Sequence, residues 1–239
     1  MNLKKAISAV DRAGALLVFP MDNRKQPASL WSAFFPRTPM RWEWDESGDD
    51  RVSKLWHLRA ELSTTRKVVY TKWFQGRATY LSRPLFAAML RALNPNDTFL
   101  SVDLSSTAER ILDILEAESP VSTKEVKRMA DLVGRANEAL YHRSLKELWS
   151  RLLIVAFGEV DDGAFPSLAI GSTRVLFEDL WREAFALKQE EAEGRVAELL
   201  GADNLFFGYF LKLKAASGPR KNGRSGKKRI PGVVRFEEL

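Results

Sequence analysis

The stretch KVVYTKWFQGRATYLSR, residues 67–83, alternates cations with large aromatic rings. Lys67, Lys72, Arg77 and Arg83 interleave with Tyr70, Trp73, Phe74 and Tyr80. In that arrangement cations can meet phosphates while rings stack on bases or wedge into a base step. Alternation along any strand also puts rings in a core and charges in water, so both uses stay open. A second chemical candidate is WEWDESGDD, residues 42–50, which holds Glu43, Asp45, Glu46, Asp49 and Asp50. One carboxylate there could activate water for glycosidic hydrolysis, or two could hold a metal. Asp45 is the one catalytic candidate, because its aromatic neighbours would raise its pKa. A solvated acidic turn is the competing reading. With no cysteine and only His57 and His142, a thiolate or multi-histidine metal site is not expected, and no cofactor is implied.

Elements are needed to position these residues. Residues 67–83 read as a β-hairpin, with Gln75-Gly76 at its turn. Before it, SKLWHLRAELS spaces Leu55, Leu58 and Leu62 as a helix face; after it, PLFAAMLRAL has proline at a helix entry. The first 20 residues read as an amphipathic helix, since Asp11 and Arg12 interrupt the apolar run a signal peptide would need. No window is apolar for long enough to span a membrane.

Beyond NPND (94–97), a boundary signal, the pattern changes. Ile111, Leu112 and Leu115 mark one helix face, and Pro120 follows it. Ser122 and Glu125 form a capping-box signature for a second helix, which Gly134 would close. A third helix over 136–152 points Leu140, Leu145, Leu148 and Trp149 at a core. Two strands follow, joined at Asp161-Asp162-Gly163, where glycine would supply a positive φ. Helix, helix, helix, strand, wing, strand is the order of a winged helix-turn-helix. Its third helix offers Arg135, Asn137, Tyr141, His142 and Lys146 to a major groove, or a polar face for packing against protein. Residues 173–202 continue as one or two helices.

The expected fold is therefore α+β and mainly helical. A Trp-rich, basic N-terminal α/β segment (1–100) containing the hairpin precedes a central winged-helix domain (101–185). A C-terminal helical extension (186–211) and a basic, flexible tail (212–239) follow. The net charge of +6 divides unevenly along these segments. Lys/Arg against Asp/Glu number 16 to 9, 10 to 15, 2 to 5 and 9 to 2, giving +7, −5, −3 and +7. The tail residues Arg220, Lys221, Lys227, Lys228 and Arg229 could neutralise phosphates without reading sequence. The wing carries Glu159, Asp161 and Asp162. Phosphate would repel these carboxylates, so the wing is expected to face away from DNA or to contact protein.

PVSTKEVKRMADL and ALYHRSLKELWSRLLIVAFGEVDDGAF, with the N-terminal VVYTKWFQGRATYLSR, resemble the AlkZ-related proteins, relatives of the AlkZ-type DNA glycosylases. That resemblance implies a winged-helix fold and a role in DNA repair. The family's enzymes excise alkylated bases and use a Gln-x-Gln pair to position the hydrolytic water. Here the only glutamines are Gln26, Gln75 and Gln189, so that signature does not carry over. The expectation is a cytoplasmic protein that binds double-stranded DNA, without catalysis. Two alternatives stay open: a glycosylase using a carboxylate such as Asp45, and an interaction module whose winged helix binds a protein partner.

Overall fold

In the computed structural model, which describes residues 1–41, 50–95, 104–163 and 166–217, the chain opens with helix α1 (Leu3–Ala13). The Asn2 side chain caps it by accepting from the Lys5 N–H at 2.8 Å. Gly14, at φ 72, ends it in the left-handed region that glycine tolerates best. The apolar run that follows is therefore strand β1 (Ala15–Leu17), and the expected 20-residue helix is shorter. Helix α2 (Leu30–Phe34) starts at a capping box between Ser29 and Ser32. Helix α3 (Asp50–Thr64) buries Leu55, Leu58 and Leu62, as their spacing requires. The hairpin forms from β2 (Val68–Thr71) and β3 (Thr79–Ser82), with Tyr70 opposite Tyr80 and positive φ at Gln75 and Gly76. Helix α4 (Arg83–Leu93) carries Pro84 in its first turn.

The second half begins with α5 (Ser106–Ala117), a two-residue strand β4 (Val121–Ser122) and α6 (Thr123–Met129). A 3-10 turn, Arg135–Asn137, leads into α7 (Glu138–Ser150), then β5 (Ile154–Val160) and β6 (Ser167–Ser172). Four helices close the described chain: α8 (Thr173–Leu176), α9 (Glu178–Ala186), α10 (Gln189–Leu200) and α11 (Leu205–Ser217). The fold is α+β and mainly helical, as expected.

All six strands join one antiparallel sheet in the order β1-β3-β2-β5-β6-β4. Tyr70 opposite Ala156 links the hairpin of the first segment to the strand pair of the second. Both faces of this sheet are covered, so β1, β2 and β3 are buried at every position. Val68, Tyr70, Ile154 and Ala156 point into one core, with α1, α3, α5 and α7. Val69, Leu81 and Val155 alternate into the other, beneath α4, α9, α10 and α11.

Several local expectations need correction. α6 stops at Met129, and Asp131 takes the left-handed conformation (φ 54) well before Gly134. Leu140 is exposed on α7; the residue beside it, Tyr141, is buried in its place. Gly163 does not have the positive φ expected at the turn. The glycine in that region is Gly158, at φ 84, where the β5–β6 register shifts between Ala156 and Glu159. The stretch 173–202 forms three helices rather than one or two. Residues 212–217, expected to be flexible tail, continue α11.

Candidate nucleic-acid interface

An open cleft of about 1070 Å³ lies where five parts of the chain meet. The β1–α2 loop contributes Arg24 and Gln26; the hairpin connection contributes Lys72 through Gly76. α6 contributes Lys124 and Lys127, one turn apart. α7 offers Glu138, Tyr141, His142, Leu145, Lys146 and Trp149, a 3,4-spaced stripe along one helix face. α11 answers with Leu205, Gly208, Tyr209, Lys212 and Leu213, the same spacing on its own face. Six cations (Arg24, Lys72, Lys124, Lys127, Lys146 and Lys212) thus line the cleft against a single carboxylate, Glu138.

Aromatic packing fixes the walls. Trp73 and Phe74 meet Tyr209 edge to face at centroid distances of 5.1 and 5.0 Å, and Phe74 meets Phe206 at 4.8 Å. These contacts dock α11 on the hairpin connection and so place Lys212. Across the cleft, the Tyr141 hydroxyl donates to the Thr123 carbonyl at 2.7 Å and ties α7 to the start of α6.

Two of the cations are already engaged. Lys127 pairs with Glu138, and its hydrogen bond holds that carboxyl below the usual carboxylate range. His142 Nε2 lies 3.4 Å from the same carboxylate. Lys124 reaches Asp162 at 3.0 Å. Hydrogen bonds from Ser167, Ser122 and Lys124 bring the Asp162 carboxyl down to about 2. Lys72 differs from both. It is half-buried, with no carboxylate partner among the described residues; burial first, then the nearby Arg59 charge, pull its ammonium below the ordinary lysine range.

Arg59 belongs to a buried polar cluster behind the hairpin. Its guanidinium donates to the Tyr70 hydroxyl at 3.2 Å and pairs with Glu159, while Trp56 stacks over it at 4.2 Å. The Tyr80 hydroxyl donates back to the Arg59 carbonyl at 2.5 Å, and burial raises its pKa well above the usual tyrosine value.

The structure separates the sequence candidates. Lys72, Trp73, Tyr141, His142 and Lys146 come together around the cleft. Trp73 and Tyr141, however, are only 1% and 4% exposed, so their rings belong mostly to the core. Lys67, Arg77, Arg83, Arg135 and Asn137 do not line it. Arg83 is held on the other side of the hairpin by Asp179 and the Arg66 carbonyl. Asn137 donates to the Val133 carbonyl. Asp45 and the tail residues Arg220, Lys221, Lys227, Lys228 and Arg229 lie outside the described residues. The sequence candidates do not include Arg24, Lys124 or Lys127, and Lys212 stands only among the tail's phosphate-neutralising cations. The i, i+3 spacing of Lys124 and Lys127 was the available signal. No three His, Asp or Glu side chains gather as a metal site among the described residues. No helix among them is long and apolar enough to cross a membrane.

Fold and site together define an α+β protein with a cation-lined cleft between a helix of its second half and its last described helix. The chain belongs to the AlkZ-related family, whose sequence profile matches residues 1–202, and that family associates it with DNA repair. It has no significant match among curated proteins or solved structures.

Proposed function

We propose that the protein binds double-stranded DNA at this cleft, with residues 106–172 acting as a winged helix. The helix–strand–helix–helix–strand–strand order of that stretch, with β4 paired to β6, supports the reading. So does the place of α7, the third helix, whose face forms one wall. The observation that carries the proposal is the charge imbalance, six cations against one carboxylate in one concave surface. Such a surface draws a phosphate backbone and gains affinity as condensed counterions are released. Its volume suits a single everted nucleotide better than a duplex, which would rest on the rim. Fluorescence anisotropy with a labelled duplex tests this. Binding should weaken in Lys146→Gln and Lys212→Gln, which remove charge from opposite walls; equal affinity in both would refute it.

A second reading, hydrolytic removal of a damaged base, is favoured by one observation. Gln26 and Gln75, far apart in sequence, both line the cleft. Two amides lining one cleft could orient a water, the task of the paired glutamines in the family's glycosylases. Incubation with alkylated duplex followed by alkaline cleavage would reveal excision. Strand cleavage that is absent in wild type, or unchanged in a Gln26→Ala/Gln75→Ala double variant, would remove this reading.

A further inference from the structure

Lys72 stands apart from the other cations of the cleft. Arg24, Lys146 and Lys212 are exposed, and Lys124 and Lys127 each hold a carboxylate. Lys72 alone is half-buried and lacks a carboxylate partner among the described residues. It directly follows β2, so sheet pairing fixes its backbone on one side, and the buried Trp73 fixes it on the other. The Thr71 hydroxyl accepts the Trp73 N–H at 3.1 Å and tightens this corner. A phosphate-binding lysine is better placed on an exposed rim, where its charge is solvated until contact. A lysine whose charge is penalised by burial suits work as a free amine.

We propose that Lys72 is a nucleophile that captures the ring-opened aldehyde of an abasic deoxyribose in DNA as a Schiff base. This rests on the reading of the cleft as a DNA-binding surface. The Lys72 Nζ lone pair attacks C1′ of the aldehyde, and the carbonyl oxygen takes up a proton to give a carbinolamine. Loss of one water then leaves the C=N bond of an imine; addition of water reverses the step and returns amine and aldehyde. No oxidant or metal is required. The surrounding cations Arg24, Lys146 and Lys212 would hold the phosphates on either side of the sugar that has lost its base. Lowered solvation of the Lys72 ammonium raises the fraction of amine available for attack.

The test uses the full chain, a labelled duplex with one abasic site made by uracil excision, and sodium cyanoborohydride. Hydride from the reagent reduces the imine to a stable secondary amine, so capture appears as a slow-migrating protein–DNA band on a denaturing gel. Wild type should give this band; a duplex whose abasic aldehyde has first been reduced to the alcohol should not. Lys72→Arg keeps the charge but cannot form an imine, and should lose the band while still binding the duplex in anisotropy. Peptide mapping of the wild-type adduct should place the DNA on Lys72, which decides the matter even if a variant folds poorly. An adduct on another amine, or no adduct with the abasic duplex demonstrably bound, overturns the capture and leaves DNA binding standing. Failure of the wild type to bind the duplex at all overturns both.

Discussion

The salt dependence of DNA binding can be worked from the cleft. Lys127 and Lys124 are committed to Glu138 and Asp162, and Arg24 lies at the edge of pairing with Asp22, 4.0 Å away. That leaves the exposed Arg24, Lys146 and Lys212 to meet phosphates, Arg24 being only loosely held by Asp22, while half-buried Lys72 is set apart from them. Each phosphate neutralised adds about −0.9 to the slope of log K against log salt, so three contacts give roughly −2.7. Changing Lys146 and Lys212 together to glutamine should flatten the slope to roughly −0.9. Glu138→Gln should steepen it by about −0.9, because Lys127 is then free to meet a phosphate. Anisotropy titrations of one duplex across a series of KCl concentrations measure all three slopes. Both lysines are exposed, so the double variant should melt like wild type. A folded double variant with the wild-type slope would refute the assignment of the cleft as the phosphate contact surface.

Other consequences follow from the same contacts. Arg59→Ala strands Glu159, and breaking a pair so deeply buried (side chains 5% and 17% exposed) should destabilise by about 3–5 kcal/mol in urea melts. Replacing both partners with apolar residues should cost much less; equal losses would mean the pair itself stabilises the fold. Phe206→Ala removes a fully buried ring at the foot of α11 and should cost roughly 3–5 kcal/mol. Hydrogen exchange should quicken in α11 before it does in α4, and uniform protection would show that the aromatic cluster does not anchor the helix. Asp162 titrates at about 2 in the fold against an ordinary 3.8. Its folded value is depressed, so its contribution is present above pH 3.8 and lost as pH falls toward 2. Wild type should melt above Asp162→Asn at neutral pH, and the gap should close through that window. A gap that persists at pH 2 would contradict the carboxylate's role.

How much of this was readable beforehand depends on the range of the interactions. The hairpin, α3, α4 and α5 follow from local spacing and turn residues, and all form. The errors at Leu140, Gly134 and Gly163 arise where tertiary contacts override local signals. Tyr141 displaces Leu140 from the core because its hydroxyl finds the Thr123 carbonyl. The hairpin aromatics show the limit most clearly. Alternation left two uses open, and the sheet decided: Tyr70 and Tyr80 stack as a cross-strand pair at 5.1 Å, and Trp73 and Phe74 enter the opposite core. Only Lys72 of that hairpin's four cations lines the cleft. The site joins residues more than a hundred positions apart, such as Arg24 and Lys146, and no local pattern announces that distance.

The acidic connection between β5 and β6 bears on where a polyanion can approach. Counted as bare charges, Glu159, Asp161 and Asp162 make the second segment repel DNA. Their partners change that count. Glu159 is the counterion of the buried Arg59, an ion pair reached because the Gly158 bulge shifts the strand register just before it. Asp162 is held low by two serines and Lys124, so it is an anchor for a cleft lysine. Two of the three carboxylates are thus matched within the molecule. The repulsion inferred from sequence charge alone falls to Asp161, which is exposed and does not line the cleft. The −5 balance of residues 101–185 therefore does not describe the surface DNA would meet. With Lys124 matched by Asp162 and Lys127 by Glu138, Lys146 on α7 still faces the cleft with Lys72 and Lys212 and no carboxylate partner among the described residues, so the local field there is positive although the segment is acidic.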